Sequence, residues 1–79
     1  MQYGLYVLKD EKVGFLQVMQ DTNDESALRN FAYAINQPNT LHAFAKSDFN
    51  LYKLGVFDSN TAEIVLEKTP TLIASGSSV

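Results

Sequence analysis

The sequence predicts an α+β protein in which a small antiparallel sheet, with elements in the order β-β-α-β-β, carries one helix packed on one face. Four runs of apolar, branched and aromatic residues are separated by polar turn residues, which is typical of strands. A single stretch near the middle of the chain has apolar residues at helical spacing. With 79 residues, 46% of them hydrophobic and 19% charged, the chain is long enough for one globular domain.

The first two strands are predicted to form a hairpin. Residues Tyr3 to Leu8 are rich in aromatic and branched side chains, and Val13 to Met19 form a second apolar run. The four charged residues from Lys9 to Lys12 separate these runs and have the length of a hairpin loop. We therefore expect an antiparallel pair at the start of the chain.

The helix is predicted at about residues 23–36. Thr22 and Glu25 have the spacing of a capping box, in which each side chain satisfies a backbone N–H at the start of the helix. Pro38 ends the helix, because the residue before a proline is driven out of the α region. The apolar residues that recur at helical spacing, and that we expect to be buried, are Leu28, Phe31, Ala32 and Ile35.

The second hairpin follows an irregular stretch over residues 39–49. Leu51 to Phe57 is a predicted strand, Asp58 to Asn60 a turn, and Ala62 to Leu66 a strand whose alternate residues point to one face. Residues 1–69 are thus predicted to form one domain. Residues 70–79, which end in a Ser/Gly stretch, are predicted to form a partly flexible tail.

One helix covers only one face of a four-stranded sheet, so the other face is predicted to be open. If Leu5 and Val7 face the helix, Tyr6 and Leu8 lie on the open face. Uncovered apolar surface in so small a chain favours association, as a sheet-on-sheet dimer or by strand pairing across an edge, and we expect a homodimer. Alternatively, the segment Leu72–Ile73 folds back over this face.

The composition argues against catalysis and metal binding. The chain has no cysteine and a single histidine, His42, which lies in the irregular stretch, and no nucleophile–base pair stands out. Its four glycines are scattered, so there is no phosphate-binding loop. We expect a binding protein with no catalytic residues, no metal, no cofactor and no small-molecule substrate. The N-terminal segment lacks the basic region and long apolar core of a signal peptide, and no apolar run is long enough to span a membrane, so we expect a cytoplasmic protein.

The charge of the chain limits how it could bind nucleic acid. The net charge is −3, and the six cations are spread along the chain with acidic residues close to several of them. Contact with DNA is therefore expected to be weak, indirect or made by an oligomer that gathers its cations. Aromatic side chains could add stacking platforms for unpaired bases, although a small domain also needs its aromatic residues as core. Tyr6, Tyr33 and Tyr52 are the stacking candidates, and the residues expected to contact nucleic acid are Lys9, Lys12, Arg29, Lys53, Tyr52 and Tyr33.

One segment carries a resemblance to a known family. The run Phe49-Asn-Leu-Tyr-Lys-Leu-Gly-Val-Phe-Asp58 resembles the Leu-Tyr-x-x-Gly-x-Phe-Asp signature of the small nonstructural protein of gokushovirus-type single-stranded DNA bacteriophages, family Microviridae. The matching positions are Leu51, Tyr52, Gly55, Phe57 and Asp58. The opening segment from Tyr6 to Asp10 and the helix around Ala27 to Phe31 also look like the corresponding elements of that family.

The resemblance implies a role as well as an origin. It implies an early, non-capsid phage protein, linked to viral single-stranded DNA synthesis or packaging in the cytoplasm of the bacterial host. Its expected partners are a second copy of the chain and either single-stranded DNA or a replication protein, with no membrane. Two alternatives stay open: an adaptor that binds a host protein, and a minor virion or assembly component. The resemblance supplies no catalytic residues.

Overall fold

A computed structural model describes all 79 residues and shows one four-stranded antiparallel sheet with one main helix. The spatial order of the strands is β2-β1-β3-β4, so the first and third strands are central. The predicted α+β fold with the order β-β-α-β-β is confirmed. The elements are β1 (Gln2–Asp10), β2 (Gly14–Asp21), α1 (Asp24–Ile35), the short helix α2 (Leu41–Phe44), β3 (Phe49–Asp58) and β4 (Ile64–Ser75), with 3₁₀ turns at Lys46–Asp48 and Gly76–Ser78.

The core lies between α1 and the sheet. Helix α1 contributes Ala27, Phe31 and Ile35, which follow one another at four-residue spacing and therefore share one face. The predicted stripe is correct for Phe31 and Ile35, whereas Leu28 is exposed and Ala27 takes the inner position. The sheet contributes the remaining members of the buried cluster, which are Tyr6, Phe49, Leu51 and Ala74.

The helix begins one residue later than the capping-box prediction places it. Asn23 is the N-cap, and its side-chain oxygen accepts a hydrogen bond from the Ser26 backbone N–H at 2.8 Å. Thr22 instead donates its hydroxyl to the Ser26 hydroxyl. Asparagine caps a helix as well as threonine does, so two adjacent residues could each have served as the cap.

The prediction of which β1 residues face the helix is wrong. Tyr6 and Leu8 pack with the helix side chains, and Leu5 and Val7 therefore point to the other face. The buried phenol explains this choice, because the Tyr6 hydroxyl donates to a carboxylate oxygen of Asp24 in the first turn of α1. Tyr6 and Leu8 are thus part of the core rather than an oligomer face.

The fourth strand is longer than predicted and includes most of the segment assigned to a tail. Residues 71–75 pair with β3, and Ala74 is buried in the core. The predicted boundary at residue 69 therefore falls inside β4. Between Leu66 and Thr71 the pairing with β3 is interrupted, and Pro70 lies in this interruption, where no ladder hydrogen bond is required of it. The Leu72–Ile73 segment extends the sheet and does not fold over it.

The helix covers only one end of the sheet, which we call the turn end because it holds the β1–β2 turn. Phe49 and Ala74 are buried there. At the opposite end, which we call the distal end, the β3–β4 hairpin projects beyond the helix and Ile64, Val65 and Leu66 are exposed. The molecule is accordingly elongated, with extents of 40 × 21 × 17 Å.

Candidate functional site

The face of the sheet that points away from α1 carries the candidate site, and we call it the open face. Directly paired residues of antiparallel strands share a face. Val7 is adjacent to the helix-facing Tyr6, and its partners are Val18 on β2 and Tyr52 on β3. Tyr52 in turn pairs with Leu72 on β4. These four residues form a row across all four strands, and Val18 and Leu72 at its ends are exposed.

A cation and two aromatic rings meet at the turn end of the open face. Lys9 pairs with Phe15 across the first hairpin, and its ammonium nitrogen lies 5.0 Å from the Phe15 ring centroid. The same nitrogen is 5.9 Å from the ring centroid of Tyr52. The two rings are 5.7 Å apart and meet edge to face at 72°. We call Lys9, Phe15 and Tyr52 the aromatic cluster, and its Phe15 side is open to solvent because that residue is 52% exposed.

An acidic residue lies against the aromatic cluster. The Glu11 carboxylate is 3.2 Å from the Lys9 ammonium and accepts hydrogen bonds from the Asn50 side-chain amide at 2.7 Å and the Tyr52 hydroxyl at 3.4 Å. The hydrogen bond from Asn50, followed by that from Lys9, lowers the pKa of Glu11 below its ordinary value. Glu11 is therefore held as an anion beside the only lysine of the cluster.

The distal end of the open face is apolar. Leu5 lies two residues before Val7 on β1 and shares its face, and its β3 partner Gly55 pairs with Leu66 on β4. One step further out, Tyr3 pairs with Phe57, which pairs with Ile64. We call these side chains the apolar patch; its members are Tyr3, Leu5, Phe57, Ile64 and Leu66. Ile64 and Leu66 are more than half exposed, so a contiguous apolar surface is left in contact with water.

The structure brings together only some of the residues expected to contact nucleic acid. Lys9 and Tyr52 meet in the aromatic cluster, and Lys12 lies exposed in the adjoining turn. Lys53 is on the helix side of the sheet, where its ammonium is 3.1 Å from Asp24. Arg29 and Tyr33 are exposed on α1, so the molecule separates them from the cluster by the thickness of the fold.

Phe15, Glu11 and Asn50 are the residues of this site that sequence reasoning did not single out. A signal for Phe15 exists in the sequence, because a hairpin turn over residues 11–13 pairs Asp10 with Gly14 and hence Lys9 with Phe15. No comparable signal exists for Asn50. Its contact with Glu11 depends on the pairing of β1 with β3, which are separated by the whole helical segment.

The segment resembling a phage signature has structural roles along β3. Leu51 is in the core and Tyr52 is in the aromatic cluster. Gly55 lies against β4 so closely that a Cβ there would collide with the Val65 carbonyl oxygen. Phe57 is in the apolar patch, and the Asp58 side chain accepts a hydrogen bond from the Asn60 backbone N–H at 2.8 Å, which stabilises the turn.

A separate cleft lies on the helix side, between α1 and β2. Its volume is about 290 Å³, and its walls include Tyr6, Met19, Phe31 and Ile35. His42 also lines it and packs edge to face on Phe49 with ring centroids 4.7 Å apart. The cleft is almost entirely apolar and holds no convergent set of charged groups.

No group of three or more histidine, cysteine or acidic residues is placed so that it could hold a metal ion. None of the helices is both long and apolar enough to cross a membrane.

The fold and site define a two-layer α+β protein whose sheet is covered by a helix on one face and is open on the other. The chain belongs to the Phage ORF5 protein family, whose model matches residues 3–79. It is therefore a bacteriophage protein, in agreement with the phage origin implied by the segment Leu51–Asp58. Neither the curated proteins nor the solved structures give a significant match to the chain.

Proposed function

We propose that this phage protein acts by binding, and that it binds single-stranded DNA through the aromatic cluster on the open face of its sheet. The observation that carries the proposal is the position of the Lys9 ammonium over the Phe15 and Tyr52 rings. Sheet surfaces that bind single strands combine aromatic rings, on which unpaired bases stack, with cations that attract the phosphates. Both components occur here within one cluster.

The accessible ring is suited to stacking. Phe15 lies on β2, an edge strand, and half of its surface is free. Tyr52 is half-buried against its neighbours, and its ring meets the Phe15 ring edge to face. A base that stacks on Phe15 would therefore extend a preformed aromatic pair. These two side chains would not need to become ordered when the DNA binds. Stacking of this kind tolerates any base, so we expect little sequence preference.

The charge distribution supports a weak contact with a modest salt dependence. Lys9 is in the cluster and Lys12 lies in the adjoining turn, whereas Lys53 is paired with Asp24 on the other side of the sheet. The net charge of −3 opposes the approach of DNA at long range. So few cations can neutralise only about two phosphates, and we therefore expect affinity to fall with a shallow slope as salt is raised.

The biological role that we propose follows the resemblance to the gokushovirus nonstructural protein. A phage with a single-stranded DNA genome produces unpaired strands during its synthesis and packaging. A small protein that contacts single strands weakly could modulate either step in the cytoplasm of the bacterial host. The family match supports a phage accessory protein, and the signature-like segment on β3 supports the narrower assignment to Microviridae.

We also propose that the protein forms a homodimer through the apolar patch. The patch is at the distal end of the open face, away from the aromatic cluster, so a two-fold dimer would leave both clusters free. A patch three strands wide, about 14 Å, and about 15 Å long covers roughly 200 Å², which is small for a specific interface. We therefore expect a dimer that dissociates on dilution.

A second candidate function is an adaptor that binds a host protein. It is favoured by the same apolar patch together with the acidic net charge, which would suit a partner with a basic rim around an apolar centre. In that case the patch binds the host protein, and single-stranded DNA plays no part. A minor virion component would use the patch in the same way against another phage protein.

The proposal is tested by fluorescence anisotropy with a labelled oligonucleotide of roughly 20 thymidines at low salt. We expect the wild-type protein to bind and Phe15→Ala to weaken binding about tenfold, because each stacked base contributes about 1–3 kcal/mol. Phe44→Ala is the matched control, since Phe44 is 90% exposed on α2, away from the sheet. No binding by the wild type, or equal losses in the two variants, would rule out the aromatic cluster as a DNA site.

A further inference from the structure

Three hydrogen-bond donors converge on the Glu11 carboxylate, and they come from two different strands. Lys9 is on β1, and Asn50 and Tyr52 are on β3. The pairing of Lys9 with Asn50 places the first two side by side on the open face, and Tyr52 lies two residues further along β3 on the same face. The register of the central strands therefore sets the Cα positions of the three donor residues.

Glu11, which accepts these hydrogen bonds, is more exposed than its three donors and lies in a turn. Glu11 is in the β1–β2 turn and is exposed, whereas Lys9, Asn50 and Tyr52 are half-buried on strands. Its backbone N–H donates to the Asp48 carbonyl oxygen, so the main chain is anchored and only the side chain would have to move for the carboxylate to leave its donors. A rotation of this side chain into solvent would leave an ammonium, an amide N–H and a phenol O–H pointing at one vacated position.

This set of donors suits a phosphate group. A phosphate oxygen accepts hydrogen bonds from ammonium, amide and hydroxyl donors as a carboxylate oxygen does, and the ammonium adds charge assistance. The vacated position adjoins the Phe15 ring, because the Lys9 ammonium contacts both Glu11 and that ring. A nucleotide could therefore place its phosphate among the three donors with its base close to the exposed face of Phe15.

We propose that Lys9, Asn50 and Tyr52 form a phosphate site, and that the Glu11 carboxylate occupies this site until a phosphate displaces it. The inference rests on the proposed binding of single-stranded DNA and deepens it in two ways. It assigns Asn50 as a phosphate-binding residue. It also assigns Glu11 as an internal competitor that weakens binding and discriminates against ligands without a strongly charged group.

The test compares Glu11→Gln with Glu63→Gln by anisotropy with the thymidine oligonucleotide. Both substitutions remove one negative charge, but Glu63 is exposed at the distal end of the sheet beside the β3–β4 turn. We expect Glu11→Gln to bind roughly two- to fivefold more tightly than Glu63→Gln, which is the scale of one exposed ion pair. Asn50→Ala should bind more weakly than the wild type, because it removes a donor.

A second readout separates the phosphate site from the proposed function. Inorganic phosphate is titrated into the wild type and Glu11→Gln while the NMR signals of the Asn50 side-chain amide are followed. We expect these signals to shift at lower phosphate concentration in Glu11→Gln than in the wild type. This measurement needs no DNA, so it reports on the site even if DNA binding fails.

The possible outcomes separate the two claims. If the wild type binds the oligonucleotide but the two glutamine variants bind equally, the internal competitor is refuted and DNA binding stands. If no variant binds DNA but the Asn50 amide shifts with phosphate as expected, the phosphate site stands and the proposed function fails. If the amide does not respond to phosphate in Glu11→Gln, the phosphate site is refuted.

Discussion

The hydroxyl of Tyr6 joins the sheet to the start of the helix, and its removal tests how much this hydrogen bond contributes to the stability of the fold. Tyr6 is 1% exposed, and its hydroxyl donates to an Asp24 carboxylate oxygen at 2.5 Å. The Lys53 ammonium is 3.1 Å from the same oxygen. Tyr6→Phe deletes the hydroxyl and keeps the ring among Ala27 and Phe31, so the substitution isolates one hydrogen bond between β1 and α1.

The expected loss of stability is about 1 kcal/mol. A hydrogen bond to a charged group contributes roughly 1.5–3 kcal/mol, and its loss costs more when a buried partner is left unsatisfied. Asp24 is not such a partner, because its side chain is 49% exposed and keeps its contact with Lys53. Water and Lys53 therefore recover part of the lost interaction, which places the cost below that range, at about 1 kcal/mol.

The pH dependence of this loss has a defined sign. The Tyr6 hydrogen bond, and after it the Lys53 contact, hold the pKa of Asp24 below its ordinary value. A depressed carboxyl pKa contributes stability that is present above the unfolded-state value of about 4 and is lost as the pH falls through the lower folded-state value. The difference between the wild type and Tyr6→Phe should therefore be largest near neutral pH and should shrink in acid.

The measurement is urea unfolding of both proteins at pH 7 and pH 3, followed by circular dichroism. Tyr33→Phe is the control, because Tyr33 is exposed on the outer side of α1 and its hydroxyl should contribute little. A Tyr6→Phe protein as stable as the wild type at pH 7 would refute the role given to the hydroxyl. A larger difference at pH 3 than at pH 7 would refute the ionic character given to the bond.

Two further substitutions test the sheet and its proposed dimer. Gly55→Ala should destabilise the protein by about 1–3 kcal/mol in thermal or urea unfolding, because the new Cβ would collide with the Val65 carbonyl and force β4 to shift; an unchanged unfolding midpoint would contradict this close approach. Leu66→Lys should convert the dimer to a monomer in light scattering at high protein concentration, whereas Leu41→Lys, which alters a leucine of similar exposure (68% against 66%) on α2, should leave it dimeric. A wild-type protein that stays monomeric at high concentration would exclude the dimer.

The order of elements follows from local patterns, and for that reason it could be predicted. Runs of residues typical of strands lie on both sides of one segment with helical periodicity, and Pro38 marks the end of that segment. The choice between the two faces of β1 could not be made in this way, because apolar residues occupy both faces of that strand. It depends on a hydrogen bond between Tyr6 and Asp24, which are eighteen residues apart.

The length of β4 could not be predicted from the local sequence for a related reason. Proline and a charged pair at residues 67–70 are typical of the end of a strand. In the structure they form an interruption opposite Leu54, after which pairing with β3 resumes at Thr71. Whether β4 resumes its pairing after the interruption depends on contacts with the rest of the fold, which local sequence does not show. Here the continued strand places Ala74 in the buried core.

The candidate site was predicted where it depends on residue type and missed where it depends on register. Lys9 and Tyr52 were identified as a cation and an aromatic residue suited to nucleic acid, and the structure places them together. Lys53 has the same chemistry but lies on the opposite face, because the pairing of β1 with β3 assigns it to the helix side. Composition alone cannot separate these two lysines.

The central claim is that the open face binds single-stranded DNA, and NMR mapping tests it most directly. The thymidine oligonucleotide is titrated into the isotopically labelled protein at low salt, and the backbone amide signals are followed residue by residue. We predict that the largest shifts fall around Lys9, Phe15 and Tyr52. Shifts concentrated around Arg29 and Tyr33 on the helix, or no shifts at all, would contradict the account.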